Sequence, residues 1–373
     1  MMGRKAGDNA QITALAEALG WPFEIKNLVF RKTELITNLL AGPTLTGVVK
    51  DQSDPLTPPW PDLMISAGRR NEPACRWVQV QGPHARIVHV GRPWAPLECF
   101  DLIVTTPQYR LPQAPNVLQN TAPLHRVTAA RLALAAEVWA PRLAHLPKPY
   151  VAVVIGGNAG PYVLDAEAGA LLGRAANAYA RKVGGSLLMS TSARTPAPAI
   201  AALEAAIDVP AGIYRWRGDA HENPYLGYLA LADSIIVTCE SMSMLAEACS
   251  TRKPVFMFDL DTGPDNHWPL LAPLVGEVQQ RSWGRRLRRL KFQPLVYRTA
   301  MVTGPKRLTR DVRIIQRALV AERRTVWLGQ NFPQGPAPPP LDDVGRAAQA
   351  VRALFAEPHS PPAESGIAAA ASQ

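Results

Sequence analysis

Long apolar runs are missing from this chain: none approaches the roughly 18 residues a spanning helix needs, and no basic segment followed by an apolar run opens it. A transmembrane helix and a secretory signal are therefore not expected. Cysteine is scarce. Cys75, Cys99, Cys239 and Cys249 stand far apart with no Cys-x-x-Cys spacing, which speaks against a zinc site or a disulfide framework and for a reducing, cytoplasmic setting. Acidic residues are absent between Glu277 and Asp311. That gap holds ten bases, Arg281, Arg285, Arg286, Arg288, Arg289, Lys291, Arg298, Lys306, Arg307 and Arg310, and they account for the whole net charge of +10. Trp283, Leu287, Leu290 and Phe292 interleave with them. Three readings fit: a solvated helix face, a patch for anionic lipid through Arg281–Lys291 on an inner membrane face, or a nucleic-acid contact. No recognisable nucleic-acid motif supports the third.

What is present is 373 residues with 47% apolar content, enough for two domains with real cores. A helical stripe at Ile12, Leu15, Ala16 and Leu19 stops at Gly20. Short apolar runs follow at Leu63–Ile65, Ala85–Val90 and Leu102–Val104, the lengths of buried parallel strands. Residues 141–149 carry three prolines and read as a linker. Beyond it, strands at 150–155, 186–189, 235–238 and 255–258 alternate with helices at 164–183, 197–207 and 242–249. This alternation predicts an α/β fold of two Rossmann-like, doubly wound domains facing a central cleft, with ligands at the strands' carboxyl ends. The expected division is a first domain at 1–140, the linker, a second domain at 150–330, and a Pro/Ala-rich tail at 331–373. Within the tail, Leu341, Val344, Ala348, Val351 and Phe355 share one face, so 341–357 is expected to be a docking helix.

Three strand ends carry anion-binding chemistry. Gly156, Gly157 and Asn158 form a glycine loop through which backbone could approach a diphosphate, although it is not the Gly-x-Gly-x-x-Gly fingerprint and a plain tight turn would look the same. Ser192 and Arg194 follow the next strand, with Thr195 and Pro196 placed to cap and start a helix. Ser241, Met242 and Ser243 open a third helix, and Glu247, one to two turns in, could accept both ribose hydroxyls. Capping explains each serine equally well, and a solvated helix position explains Glu247. Taken together, three such ends converge on one nucleoside diphosphate held by amides and arginine, with no metal-ligand cluster and no cofactor. Arg215 and Arg217, flanking Trp216, are candidates for the nucleobase.

Ala6-Gly7-Asp8-Asn9-Ala10-Gln11, Ser192-Ala193-Arg194-Thr195-Pro196, Asn223-Pro224-Tyr225 and the run from Val237 to Pro254 together resemble the mitochondrial fission family named for elongated plant mitochondria, which has many bacterial members. More distantly, the strand–Ser–helix–Glu–Pro pattern is similar to GT-B glycosyltransferases. The resemblance implies that the C-terminal domain holds a sugar nucleotide, Glu247 binding ribose and Gly156, Gly157 and Ser241 the diphosphate. It also implies a C-terminal helix crossing back to the first domain. The chain opens almost at Gly7, so the strand usual before that loop is expected to be absent or very short.

A transferase needs a general base. Asp8 is the candidate, with a turn or cap role as the alternative; Gly7, Asn9, Gln11 and Arg69 would meet an acceptor. His84, His89 and His125 are further candidates that no spacing selects. The expected function is sugar transfer from a nucleoside-diphosphate sugar to a cell-envelope or other cytoplasmic-face acceptor. The alternatives are a nucleotide-sugar 2-epimerase of the same fold, or a non-catalytic adaptor, since the plant family members recruit a fission partner.

Overall fold

The computed structural model describes residues 1–3, 5–31, 42–218, 222–260 and 310–356. The basic run Arg281–Lys291 and the last residues of the tail lie outside them. Among the described residues no helix is long and apolar enough to cross a membrane.

Helix α1 (Ala6–Leu19) ends at Gly20, whose left-handed backbone (φ 69°) closes the last turn. Four short strands follow, β1 (Leu63–Ala67), β2 (Arg86–Val90), β3 (Leu102–Thr105) and β4 (Val117–Gln119). They pair in parallel in chain order. Side chains alternate across this sheet, as the strand period of two requires. Ile87 and Ile103 pack with Cys75 and Val78 of α2 (Glu72–Gln81), whereas Val88, Val90, Leu102 and Val104 pack with Ile12, Leu15 and Leu19 of α1. Helices thus cover both faces, which is why all of β3 and all but the first residue of β2 are buried.

The second sheet contains β5 (Tyr150–Val154), β6 (Ser186–Ser190), β7 (Ala211–Tyr214), β8 (Ser234–Thr238), β9 (Val255–Phe258) and β10 (Val326–Trp327). All pairs are parallel, in the order β10-β9-β8-β5-β6-β7. The order reverses between β5 and β8. At such a reversal the connections leave in opposite directions and open a crevice at the carboxyl ends, the place where open α/β sheets bind ligands.

Helix α3 (Ala129–Leu143) joins the two sheets, with the Thr128 hydroxyl accepting the Arg131 N–H. It runs through Pro141 to Leu143, so the segment expected to be a linker from 141 opens with the last residues of this helix. Val127, Leu143 and Leu146 pack into the core of the second sheet.

Connecting the later strands are α4 (Ala166–Val183), α5 (Ala197–Glu204), α6 (Tyr225–Leu231), α7 (Met242–Ser250) and α8 (Arg313–Ala321). The last described helix, α9 (Asp343–Ala356), buries Ala347, Ala348 and Val351 against the α1 face of the first sheet. The Asp343 carboxylate fixes its start by accepting the Thr121 and Ala122 N–H groups, each at 2.9 Å. A second tie joins the lobes where the Arg310 Nε donates to Gln108 Oε1 at 2.6 Å and the Asp311 N–H to the Gln108 carbonyl at 3.0 Å.

Candidate functional site

The carboxyl ends of β5, β6 and β8 do converge, but their donors are used differently than their residue types suggest. After β5, the Gly156 N–H donates to Thr238 Oγ1 at 2.9 Å and the Gly157 N–H to Glu240 Oε1 at 2.6 Å. Neither amide is left for a diphosphate. The glycines serve close packing instead: a Cβ on Gly156 would fall 1.9 Å from Glu240 Oε1, and one on Gly157 would fall 2.0 Å from the Arg194 carbonyl. Helix α4 offers no anion site either, since the Asp165 carboxylate caps it by accepting the Ala168 N–H at 3.0 Å. An acid already occupies that end. Asn158 likewise turns inward, its Oδ1 accepting the Leu164 N–H at 2.8 Å.

The loop after β6 folds onto this glycine turn. The Ser192 hydroxyl donates to the Gly156 carbonyl at 2.7 Å. Thr195 does not cap α5; its hydroxyl reaches the Ile155 carbonyl at 3.2 Å and accepts the Ser192 N–H at 2.9 Å. Those contacts aim Arg194 across the strand ends. Its guanidinium donates to Ser241 Oγ at 3.3 Å and stands 3.9 Å from Glu240 Oε1, while remaining about half exposed.

Glu240, at the end of β8, is the residue that the sequence reading passed over. It is buried, no hydrogen-bond partner meets its Oε2, and burial pushes its carboxyl up against the opposing pull of the Gly157 N–H and Arg194. A carboxylate at the end of an otherwise apolar strand, one residue before a helix start, was the available signal.

The start of α7 is open. Ser241 is its N-cap by position, yet its side chain caps nothing. The first amides of a helix have no intrahelical acceptor, and the dipole adds positive potential there. Met242 is buried in the core, so only its backbone faces this end. Helix α1 also begins without a side-chain cap. The two starts lie against each other: a Cβ on Gly7 would be 3.6 Å from Ser243 Oγ. Two helix N-termini and Arg194 thus meet at the crevice between the lobes, where Asp8 in the first turn of α1 and Glu240 beside Arg194 supply opposing charge.

Asp8 sits in the first turn of α1, inside the helix and not in a preceding turn, with Lys5 Nζ at 3.9 Å. A Cβ on Gly68 (φ 75°) would be 3.1 Å from Asp8 Oδ2, so the carboxylate faces the loop after β1. In that loop Arg69 lies over the Trp94 ring at 4.2 Å. Asn9 and Gln11 are turned to their own chain. Asn9 clamps Gly3 with two hydrogen bonds of 2.9 and 2.8 Å, and the Gln11 amide donates to the Gly7 carbonyl at 3.4 Å.

Glu247 lies one turn beyond Ser243 on α7 and is half-buried. Its Oε2 accepts the Tyr225 hydroxyl. Burial pushes its carboxyl up to about 7, against the hydrogen bond from Tyr225 and the charge of Arg131 on α3. Arg215 is directed away from the crevice, paired through two nitrogens with Glu204. Trp216 stays exposed, its N–H donating to Thr191 Oγ1 at 2.8 Å beside the β6 loop, and Arg217 is exposed. The three candidate histidines all precede Val127 in the chain. His89 is buried with Nδ1 3.2 Å from Ser66 Oγ, its pKa lowered to about 3 by burial. His125 is lowered by the same cause, and His84 meets the Trp60 carbonyl at 3.3 Å. Among the described residues no group of three or more His, Cys, Asp or Glu side chains is placed to hold a metal ion.

Fold and site together define an α/β protein of two lobes, each built on a parallel sheet, that meet at a crevice. The family model for mitochondrial fission ELM1 matches residues 6–302, and the chain belongs to that family. Among curated proteins it is similar to the Arabidopsis thaliana mitochondrial fission protein ELM1, 31% identical over 198 residues, 47% of this chain and 46% of that protein. The match thus spans about half the length of the plant relative. Solved structures that it resembles include the UDP-GlcNAc 2-epimerase of Methanocaldococcus jannaschii, at TM-score 0.47 and 11% identity over 95% of this chain and 98% of that one. Acinetobacter baumannii MurG aligns at TM-score 0.40 and 12% identity over the same shares, 95% and 98%. These likenesses are distant, and the fold class rests on the chain's own topology.

Proposed function

We propose that the protein is a glycosyltransferase that takes its sugar from a nucleoside-diphosphate donor bound in the crevice between the lobes. The observation that carries this reading is the meeting of two uncapped helix starts, α1 and α7, beside Arg194 at the strand-order reversal. A diphosphate suits that place because its charge spreads over several oxygens that amides, hydroxyls and a guanidinium can each meet. Ser241, Ser243 and Arg194 would hold the diphosphate, Glu247 the ribose, and the exposed Trp216 ring would stack on the base.

In an inverting transfer, Asp8 would take the proton from an acceptor hydroxyl as its oxygen bonds to the anomeric carbon. The bond from that carbon to the diphosphate oxygen breaks, and the electron pair leaves with the diphosphate. The helix starts and Arg194 would stabilise the charge growing on it. In this reading Asp8 would act from the first lobe and the donor groups from the second, so the two sides of the reaction would come from different domains. A cell-envelope acceptor on the inner membrane face, near the basic run 281–291, belongs to the same proposal.

Titration calorimetry of the full chain against a panel of nucleoside diphosphates and their sugars tests the reading. Selective binding of one base, weakened about 5- to 150-fold in Glu247→Ala, is the expected result, the loss of about 1–3 kcal/mol from stranded hydrogen bonds. A folded protein that binds none of them would overturn it. The name of the plant relative favours a second reading, an adaptor in membrane fission that performs no chemistry; that protein would bind no nucleotide sugar and would tolerate Arg194→Gln.

A further inference from the structure

The outer edge of β1 carries main-chain groups that the sheet does not use. Strand β1 bonds to β2 through its even-numbered residues, since the Arg86 N–H donates to the Asp62 carbonyl at 2.9 Å. Bonding groups alternate in direction along a strand, so those of Leu63 and Ile65 point away from β2. Met1 meets them at one end, its amino nitrogen donating to the Ile65 carbonyl at 2.7 Å. Met2 turns the other way: its N–H donates to the Lys26 carbonyl at 2.8 Å, and its own carbonyl accepts the Leu28 N–H at 3.2 Å. Met1 and Met2 are thus bonded on both sides, as residues of an inner strand are, and the Met2–Asn27 pairing is parallel. Beyond Met1 the double pairing stops. Among the described residues the Leu63 N–H and carbonyl, the Ile65 N–H and the Lys26 N–H make no hydrogen bond.

These residues border a cavity of about 980 Å³. Ile12, Ala16 and Leu19 of α1 line it on one face and Met64, Val78 and Trp60 on the other, so the layers that cover the sheet continue past its edge. Phe23 and Trp21 also line it, 51% and 37% exposed. Charges of both signs are present. Lys26 and Glu24 pair at 2.7 Å, Asp62 and Arg86 both line the cavity, and the Met1 ammonium stands at its inner end. Neither sign prevails, which favours an uncharged occupant. On the crevice side the cavity ends at Met1 and Met2, and Gly3 leads on to α1, where Asp8 precedes Ile12 by about one turn.

A hydrocarbon in this place would cover the strand-edge groups without pairing them, at a cost. A peptide backbone offers a donor and an acceptor to each wall in turn. We propose that the cavity is a strand slot, in which an extended, uncharged and apolar segment of a partner protein continues the pairing begun by Met1 and Met2 between β1 and residues 24–28. Covered on both faces, that segment is expected to be apolar throughout, as β3 of the same sheet is. From Ile65 back to Asp62 the slot takes about three residues at 3.3 Å each. The inference does not depend on the transferase reading.

The probe is the peptide acetyl-Lys-Lys-Val-Val-Ile-Val-amide, titrated calorimetrically into the full chain. Expected is saturable one-to-one binding, with slower amide hydrogen exchange across residues 62–66 of the bound protein. Methylating alternate backbone nitrogens of the peptide's apolar residues should weaken binding at least about tenfold, because it removes main-chain donors and keeps the side chains. Leu63→Pro deletes an outward N–H that β2 does not use and should weaken binding severalfold with the fold retained. Ala16→Trp, which fills the cavity from α1, gives the same loss if Leu63→Pro does not fold. Nucleoside-diphosphate titrations run beside these should be unchanged, so failure here is distinguishable from failure of the donor site. No saturable binding of the peptide, equal binding of its methylated form, or unchanged exchange in β1 would overturn the proposal. Dodecanol bound as tightly as the peptide would overturn it in favour of a small apolar molecule, and self-association of the chain that the peptide reverses would overturn it in favour of a second copy.

Discussion

The glycine turn after β5 and the start of α7 after β8 stand side by side in one sheet, and in sequence both look like anion sites. Folded, they are opposites. The turn is closed: its two amides are consumed by Thr238 and Glu240, and its glycines make room for Glu240 and the Arg194 backbone. The helix start is open, with a serine at the N-cap that does not cap. One element builds the wall and the other offers the donors. A glycine-rich loop at a strand end is therefore evidence of close approach, and what approaches can be the protein itself.

The largest expected effect tests the closed side. Gly157→Ala places a methyl against fixed backbone and should cost about 3 kcal/mol, read as a lower denaturation midpoint at unchanged slope. A variant as stable as the parent would mean the turn is open after all. Next comes Glu240→Ala, which strands the Gly157 N–H and frees Arg194, at about 2 kcal/mol; Glu240→Gln, which keeps an acceptor, should recover part of that.

On the open side, Arg194→Gln should weaken binding of the selected nucleoside diphosphate about tenfold, a charge-assisted hydrogen bond's worth. The fold should hold to within about 0.5 kcal/mol, because the guanidinium is half exposed. Glu247 gives a pH signature. Its carboxyl is raised from 4.5 to about 7, so the folded state holds a proton that the unfolded state releases. Its contribution is full below pH 4.5 and is lost as pH rises to about 7. Ribose hydroxyls need the ionised form, so nucleotide affinity should rise severalfold between roughly pH 6 and 8. Glu247→Gln should bind weakly at every pH, and a parallel rise in that variant would assign the titration to another group. Smallest is Arg215→Ala, expected within about 0.5 kcal/mol in stability and silent in nucleotide binding, since Arg215 faces Glu204 at the surface.

Much of the second lobe was legible before folding. The unbroken runs at 150–154, 186–190, 234–238 and 255–258 are buried parallel strands, because a sheet covered on both faces has no solvent side to encode. The C-terminal helix was visible as an apolar face, and it does return to the first lobe. The candidate site was legible as a location but not as a set of contacts. Thr195 has a good capping sequence and bonds elsewhere, while Asn9 lies in the motif that carries the family likeness and clamps Gly3. Glu240 carries no local sign that Gly157, 83 residues away, will close over it. Residue types report what a side chain can do, and the bonds it makes depend on neighbours distant in sequence.

By itself, then, the sequence determined the alternation of strands and helices, the two lobes, and the presence of hydroxyls, arginine and carboxylate at the strand ends. These follow from periodicity and composition over a few residues, which act before any tertiary contact exists. Only the tertiary structure decided that the strand order reverses between β5 and β8, that Gly7 meets Ser243, and that Arg194 and not the glycine turn faces the crevice. The reason is that hydrogen-bond donors are claimed one at a time: which amide remains free is settled by what packs beside it, and that is a property of the assembled chain.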